Sequence, residues 1–334
     1  MKKYHVYGIG NALVDMEFEM HPEMLTKLNV EKGVMTLVDE ARRDELIGKL
    51  DLSLAKKSCG GSAANTVIGV AQFGGRSFYS CKVAGDETGE FFHKDLLEKG
   101  VKTNLTKEKM AGKSGKCLVF ITPDADRTMN SYLGISETLS YRELSEADLK
   151  DSDYFYIEGY LVTSPTAREA VIKGKKIAEN NNVKTALSFS DPNMVKYFKD
   201  GLMDMVGNGV DLLFCNQDEA LTFAKSADVY GAVEKIKRIA KTFVITMGSK
   251  GALVFDGKNE IMIRPYPVKA IDTNGAGDLF AGAFLYQITH GKDYKVAGDF
   301  ASLSSAKLVT QFGPRLTPTM LKEVVGQARS FNLL

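Results

Sequence analysis

The sequence predicts an α/β protein: a mainly parallel central sheet flanked by helices, with a small additional β-sheet outside it. Three observations lead there. From Asp151 to Asp256, runs rich in β-branched and aromatic residues alternate with stretches of helical periodicity, the rhythm of strand–helix–strand crossovers. Two glycine-rich turns, Gly60-Gly61-Ser62 and Gly275-Ala276-Gly277, each open onto small and apolar residues that read as a closely packed helix. Between Val14 and Val38 the rhythm fails. Val14, Met16 and Phe18 alternate there with Asp15, Glu17 and Glu19, the period-two pattern of a half-exposed strand outside the main sheet.

Taken in order, the chain opens with a strand over 4–9 ending in Gly8-Ile9-Gly10-Asn11. Its Gly-x-Gly suggests a dinucleotide fingerprint, but position 13 is Leu where the third glycine belongs, so a Rossmann dehydrogenase is rejected. Residues 34–38 read as a strand and 39–50 as a helix, with Leu46, Ile47 and Leu50 at helical spacing. A strand is expected over 77–84 and an amphipathic helix over 89–99, stopped by Gly100. Gly112-Lys113-Ser114 looks like the tail of a Walker A loop, which fails because position 107 is Lys, not Gly. A hairpin is expected instead, from strands over 116–122 and 127–133 about the turn Pro123–Asp126. Strands follow over 154–157, 185–189, 210–215, 243–247 and 252–256, with helices over 165–179 and 233–240. The run Asp272–Asp278 follows an apolar, strand-like stretch and precedes a buried helix from Leu279.

Composition narrows the function. The chain has 334 residues, 44% hydrophobic and 25% charged, enough for a sizeable core. A net charge of +1 argues against a general nucleic-acid or membrane-surface binder. Cys59, Cys81, Cys117 and Cys215 form no CxxC pair, and the four histidines form no HExxH motif, so neither a zinc site nor a redox motif is expected. The apolar run after Met1-Lys2-Lys3 is interrupted by Gly8, Gly10, Asn11 and Asp15, unlike a signal peptide. No stretch approaches the roughly 18 apolar residues of a membrane span. A cytoplasmic protein, monomer or homodimer, is expected.

In open α/β sheets, ligands bind beyond the C-terminal ends of the strands. That rule gathers Tyr160, Asn216, Glu219, Gly248 and Asp278 along one edge, with Asn11 and Asp15 beyond the first strand. A Gly-Ala-Gly turn at a helix start presents bare N–H groups and the positive end of the helix dipole to an anion. Asp278 lies one turn in, so a base sits beside an oxyanion cradle, the minimal arrangement for activating a hydroxyl toward a phosphoryl group. A plain turn with a capping Asp satisfies the same pattern. Gly60 and Gly61 allow a ligand close to the backbone, and Asn65 can point back at it. Arg127, just past the hairpin turn, can reach a phosphate or simply be solvated. Asn216-x-x-Glu219 suits an outer contact to a hydrated Mg²⁺; a capping Asn with a first-turn Glu suits it equally.

Together these motifs resemble the ribokinase-like, or PfkB, carbohydrate kinases. Asp272-Thr273-Asn274-Gly275-Ala276-Gly277-Asp278 is similar to their C-terminal signature, Gly60-Gly61-Ser62-Ala63-Ala64-Asn65 to their N-terminal glycine signature, and Asn216–Glu219 to their NxxE motif. The resemblance runs from about Gly8 to Gly313. Gly10-Asn11 with Asp15, and the segment Tyr156–Leu161, look most like the adenosine-kinase branch. The resemblance implies one ribokinase-like domain over 1–334, with a discontinuous β lid from about 13–20, 33–38 and 114–134. It implies ATP-dependent phosphorylation of the 5′-hydroxyl of a nucleoside, adenosine above all, with Mg²⁺. Asp278 would be the base, and Gly275, Ala276 and Gly277 the anion hole. Arg127 would be the lid arginine on the phosphate. Asn11, Asp15, Gly60, Gly61 and Asn65 would hold the substrate, with Tyr160 stacked on the base. ATP would lie near Gly248, Gly251, Ala306 and Val309, beside Asn216 and Glu219, with Glu219 reaching Mg²⁺ through water. A monovalent cation such as K⁺ would sit near Asp272. The chain departs from the pattern at Asn274, where Thr is common, and at Met35, where a polar residue is usual. A free-sugar kinase of ribose or fructose type is the alternative, and a catalytically inactive nucleoside-binding regulator a further one.

Overall fold

A computed structural model of the chain describes residues 2–105, 110–124 and 127–334. Ala125 and Asp126 of the expected hairpin turn lie outside the described residues. In chain order the strands are β1 (Tyr4–Ile9), β2 (Leu13–Glu19), β3 (Met35–Leu37), β4 (Lys56–Gly60) and β5 (Ser77–Ser80). Next come β6 (Lys102–Thr103), β7 (Gly115–Ile121), β8 (Arg127–Tyr132), β9 (Ser152–Glu158) and β10 (Lys184–Ser188). β11 (Val210–Asn216), β12 (Ala240–Thr246), β13 (Ala252–Phe255) and β14 (Glu260–Ile263) complete them. The main sheet has the order β14-β13-β12-β11-β10-β9-β1-β5-β6. It is parallel from β12 to β6, and the β12–β13 and β13–β14 pairs are antiparallel. The second sheet has the order β3-β8-β7-β2-β4.

Helices cover both faces of the main sheet, so its central strands have no polar side. Along β9, Tyr154 and Tyr156 join one core while Phe155 and Ile157 join the other. β11 divides the same way, with Leu212 and Phe214 on one face and Leu213 and Cys215 on the other. Such double burial is the signature of a parallel sheet. Helices Ser62–Gln72, Ala276–Thr289 and Tyr294–Leu308 supply Val67, Ile68, Phe284 and Phe300 to the first core. Helices Pro165–Asn180 and Val229–Ile236 supply Val171 and Ile236 to the second. The second sheet carries its own cover: Met16, Phe18, Leu118 and Phe120 pack with Leu25 and Leu46 of helices Pro22–Lys27 and Glu40–Gly48. No helix among the described residues is long and apolar enough to cross a membrane.

The expected architecture therefore holds, with local corrections. The strand expected over 77–84 ends at Ser80. The helix expected over 233–240 is Val229–Ile236, because the Asp228 carboxylate accepts the Gly231 N–H and starts the helix earlier. Ala240 instead opens β12. The stretch before Asp272 is irregular. β14 ends at Ile263, and Pro265 and Pro267 cannot donate to a ladder. The lid also has an unexpected edge strand, β4, paired antiparallel to β2, whose Lys56 and Lys57 protect the edge.

Two helices approach closely enough to need glycine. A Cβ on Gly282 would lie 2.6 Å from the Thr66 carbonyl oxygen and 3.3 Å from the Gly69 Cα. Gly→Ala in a helix interior ordinarily stabilises by roughly 0.5–1 kcal/mol, but here the clash sets the sign. Gly282→Ala is expected to lower the unfolding free energy by about 1–3 kcal/mol, measured by urea denaturation; a stabilised variant would show that the helices can part at no cost.

Candidate active site

The strand ends of β1, β9, β10, β11 and β12, roofed by β2, β3, β7 and β8, enclose a cleft of about 320 Å³. Asn11, Asp15, Gly61, Asn65, Tyr160, Asn216, Glu219, Gly275, Gly277 and Asp278 line it. So residues spread from position 11 to 278 share one cleft. Gly60 stands behind Asp15, where a Cβ would come within 2.4 Å of the carboxylate. Gly248 and Gly251 flank an exposed turn after β12, and Ala306 and Val309 lie at the end of the helix Tyr294–Leu308. These four do not line the cleft.

Asp278 stands in the first turn of the helix Ala276–Thr289. Gly275 caps that helix at φ 72°, with Pro314 packed where a Cβ would go, so only glycine fits. Gly275 and Gly277 line the cleft, and the Gly277 amide has no acceptor within the helix. Ala276, expected in the anion hole, does not line it, and its N–H donates to the Thr273 carbonyl at 3.2 Å. Ser62 Oγ donates to Asp278 Oδ1 at 2.7 Å, and Asn65 Nδ2 to Oδ2 at 3.0 Å. Both donors come from the first turn of the helix behind Gly61, whose φ is 97°. Burial pushes the Asp278 carboxyl up to about 6, against the pull of Ser62, Asn65 and Arg315.

Asp15 projects from β2 and is nearly buried, at 8% exposure. Loss of water and the neighbouring Glu17 push it up to about 7, while Arg315 and Arg127 oppose. Tyr160 leaves the end of β9 on the short turn Gly159–Thr163. Lid residues Met35, Leu37, Met129 and Leu133 form an apolar wall of the same cleft. Glu219 is buried and engaged in a capping box: Asn216 Oδ1 accepts the Glu219 N–H, and the Glu219 carboxylate accepts the Asn216 N–H and Nδ2. Burial, with Asp191, Asp218 and Asp278 nearby, raises it to about 8.

Arg127 and Asp272 meet. Arg127 Nη2 lies 2.5 Å from Asp272 and Nη1 3.3 Å from Glu17. Asp272 also accepts the N–H groups of Asn274 and Gly313. The lid arginine thus joins the loop that leads into the Gly275 turn, and Asp272 is its counter-ion.

Three residues of the site were not singled out from sequence. Ser62 was readable, as the first side chain after the glycine pair. Glu158, 1% exposed, accepts the N–H groups of Asn11 and Ala63 and the Asn11 amide, and burial raises it to about 7. A carboxylate ending an apolar strand was its only signal. Arg315 reaches Asn65 from a distant loop and carries no local signal.

A mainly parallel sheet whose strand ends are roofed by a small β lid defines the ribokinase-like class of kinases. Similar solved structures include a probable sugar kinase protein from Rhizobium etli (31% identity, TM-score 0.92, all of both chains). They also include the adenosine kinase from Sinorhizobium meliloti (31% identity, TM-score 0.91, 98% of this chain and 100% of that one). The adenosine kinase of Saccharomyces cerevisiae is 28% identical over 331 residues, spanning 92% of this chain and 95% of the relative. Residues 40–320 match the pfkB family carbohydrate kinase model, and the chain belongs to that family. It is accordingly a carbohydrate or nucleoside kinase, of a family that uses ATP and a divalent metal.

A raised carboxylate costs stability as pH rises. Between its ordinary value and about 6, folded Asp278 holds more proton than the unfolded chain, so the unfolding free energy falls with pH across that interval. Asp278→Asn should remove about 2 kcal/mol of that fall, allowing for the group's partial exposure to the cleft. Urea denaturation of both proteins at pH 4.5 and 7 checks this; identical pH slopes would contradict it.

Proposed function

We propose that this kinase transfers the terminal phosphoryl group of ATP to the 5′-hydroxyl of a nucleoside, adenosine first. One observation carries the proposal. A carboxylate fixed by Ser62 and Asn65 at a bare glycine helix start shares a cleft with a second, unspent carboxylate, Asp15. Asp15 would accept the ribose hydroxyls, beside Asn65 and the Gly61 backbone. That fixes the 5′-hydroxyl toward Asp278, which takes its proton as it attacks the γ-phosphorus. The amides of Gly275 and Gly277 would hold the transferred phosphoryl oxygens, positioning being most of what phosphoryl transfer requires. Tyr160 and the apolar lid wall would enclose a flat base. Similarity to adenosine kinases over nearly the whole chain supports this substrate.

Mg²⁺ fits the residues present only as a hydrated ion. Among the described residues no group of three or more His, Cys, Asp or Glu is arranged to hold a metal directly. Buried Glu219 can contact it through water. Bound with the phosphates, the ion would neutralise their charge. Asp272 is already satisfied by Arg127 and two amides, so no step is assigned to K⁺.

Asp278→Asn should fold normally and lose at least about 100-fold in kcat; near-normal turnover would refute the base assignment. The acid limb of wild-type kcat should fall near pH 6, since the unprotonated carboxylate is the base. Asp15→Ala should raise the acceptor KM strongly and leave the ATP KM within about two-fold; equal effects would exclude a ribose contact. The alternative, phosphorylation of a free sugar, draws on the likeness to the probable sugar kinase, but it leaves Tyr160, Met35 and Leu37 facing no base. An ADP-release assay over nucleosides and free sugars separates the two. Nucleoside binding without ADP release would mark an inactive regulator.

A further inference from the structure

Asn65 is held from both ends. Its Nδ2 donates to Asp278 Oδ2, and its Oδ1 accepts Arg315 Nε at 3.0 Å. Arg315 follows Gly313-Pro314, 250 residues downstream of Asn65. Its Nη1 donates to Asp95 Oδ2 on the helix Glu87–Glu98. Its Nη2 is buried and has no hydrogen-bond partner among the described residues.

A guanidinium can only donate. Whatever faces Arg315 Nε must be the oxygen of the Asn65 amide, which leaves the NH₂ for Asp278. We infer that Arg315 is a positioning residue for Asp278: it sets the orientation of the Asn65 amide and thereby the hydrogen bond that holds the catalytic carboxylate. The inference rests on Asp278 being the base of the proposed reaction.

The surroundings of Asp278 point the same way. Asp15, Glu158 and Glu219 face it with like charge, and the hydroxyls of Tyr79, Tyr156 and Tyr160 lie around it. Arg127 is engaged by Glu17 and Asp272. Arg315 is the basic side chain whose charge acts on Asp278, and it acts on Asp15 as well. Were Arg315 only a staple between its loop and Asp95, one nitrogen would suffice, and a lysine would spare the unpaired buried donor. The fork is needed because the side chain must hold Asp95 and Asn65 at once.

The test compares wild type, Arg315→Met and Arg315→Lys, with the aspartate side-chain carboxyl carbons labelled with ¹³C for NMR. The resonance missing from Asp278→Asn identifies Asp278. In Arg315→Met its titration midpoint should rise by about one pH unit. The acid limb of kcat should move up with it, giving about a five-fold loss at pH 6 that largely recovers at pH 8, with the ATP KM within about two-fold. Arg315→Lys keeps the charge and an Asp95 partner but not the Nε bond, so its midpoint should rise less while kcat still falls. Lower urea stability with the midpoint and pH limb both unmoved would overturn the inference and leave the kinase reading standing. If Arg315→Met does not fold, an Arg315→Lys protein with wild-type midpoint and kcat overturns it equally. If wild type phosphorylates no acceptor, the kinase reading fails, and the carboxyl titration still decides whether Arg315 controls Asp278.

Discussion

The close packing of two helices far apart in sequence, Ser62–Gln72 and Ala276–Thr289, is the constraint on which the site depends. Gly69 and Gly282 let their backbones meet. Each glycine gives up roughly 0.5–1 kcal/mol of helix stability relative to alanine. Burial of Val67, Ile68, Leu279 and Phe284 in the core these two helices share offsets that, at roughly 1.5–3 kcal/mol per side chain. The result is geometric. With the axes this close, both helix starts converge, and Ser62 and Asn65 come within hydrogen-bonding distance of Asp278. A wider separation would leave a buried carboxylate without its donors.

Electrostatics is the second constraint. Asp15, Glu158, Glu219 and Asp278 crowd one cleft, and burial raises all of them. Buried carboxylates are tolerated when hydrogen-bonded, and the cleft divides accordingly. Glu158 is used in tying Asn11 to the start of the helix Ser62–Gln72. Glu219 is used in capping its own helix. Asp278 is held but keeps a face toward the cleft. Asp15 lines the cleft and has no side-chain donor among the described residues. Arg127 and Arg315 offset part of the negative charge, each tied to a second carboxylate, Asp272 and Asp95.

What could be read from the chain followed the range of the interaction involved. Local backbone demands were legible: the Gly275 and Gly61 turns, the Pro165 helix start and the alternation along β2 all write themselves into neighbouring residues. Double burial of β9 and β11 was legible as continuous apolar runs. β4 was not, because an edge strand needs little apolar surface, and Lys56-Lys57-Ser58 looks like a loop. The helix Val229–Ile236 was misplaced because its cap, Asp228, outweighed the apolar period used to locate it. Arg315 was invisible because its role comes from a meeting with Asn65 and Asp95 that no nearby residue records.

The lid joins these levels. β2 pairs with β7 so that Asp15 faces Cys117 and Glu17 faces Val119. Met16, Phe18, Leu118 and Phe120 then turn outward to the lid's own core. Asp15 points into the cleft and Glu17 meets Arg127 on that same inner side. A slip of one residue would send every one of these side chains to the opposite face. The apolar outer core therefore fixes where the charges on the inner side of the lid stand, although none of its residues touches the cleft. The glycine turn and Asp278 define the chemistry that can occur. The register of β2, held by side chains on the far side of the sheet, sets which of its side chains share the cleft with that turn.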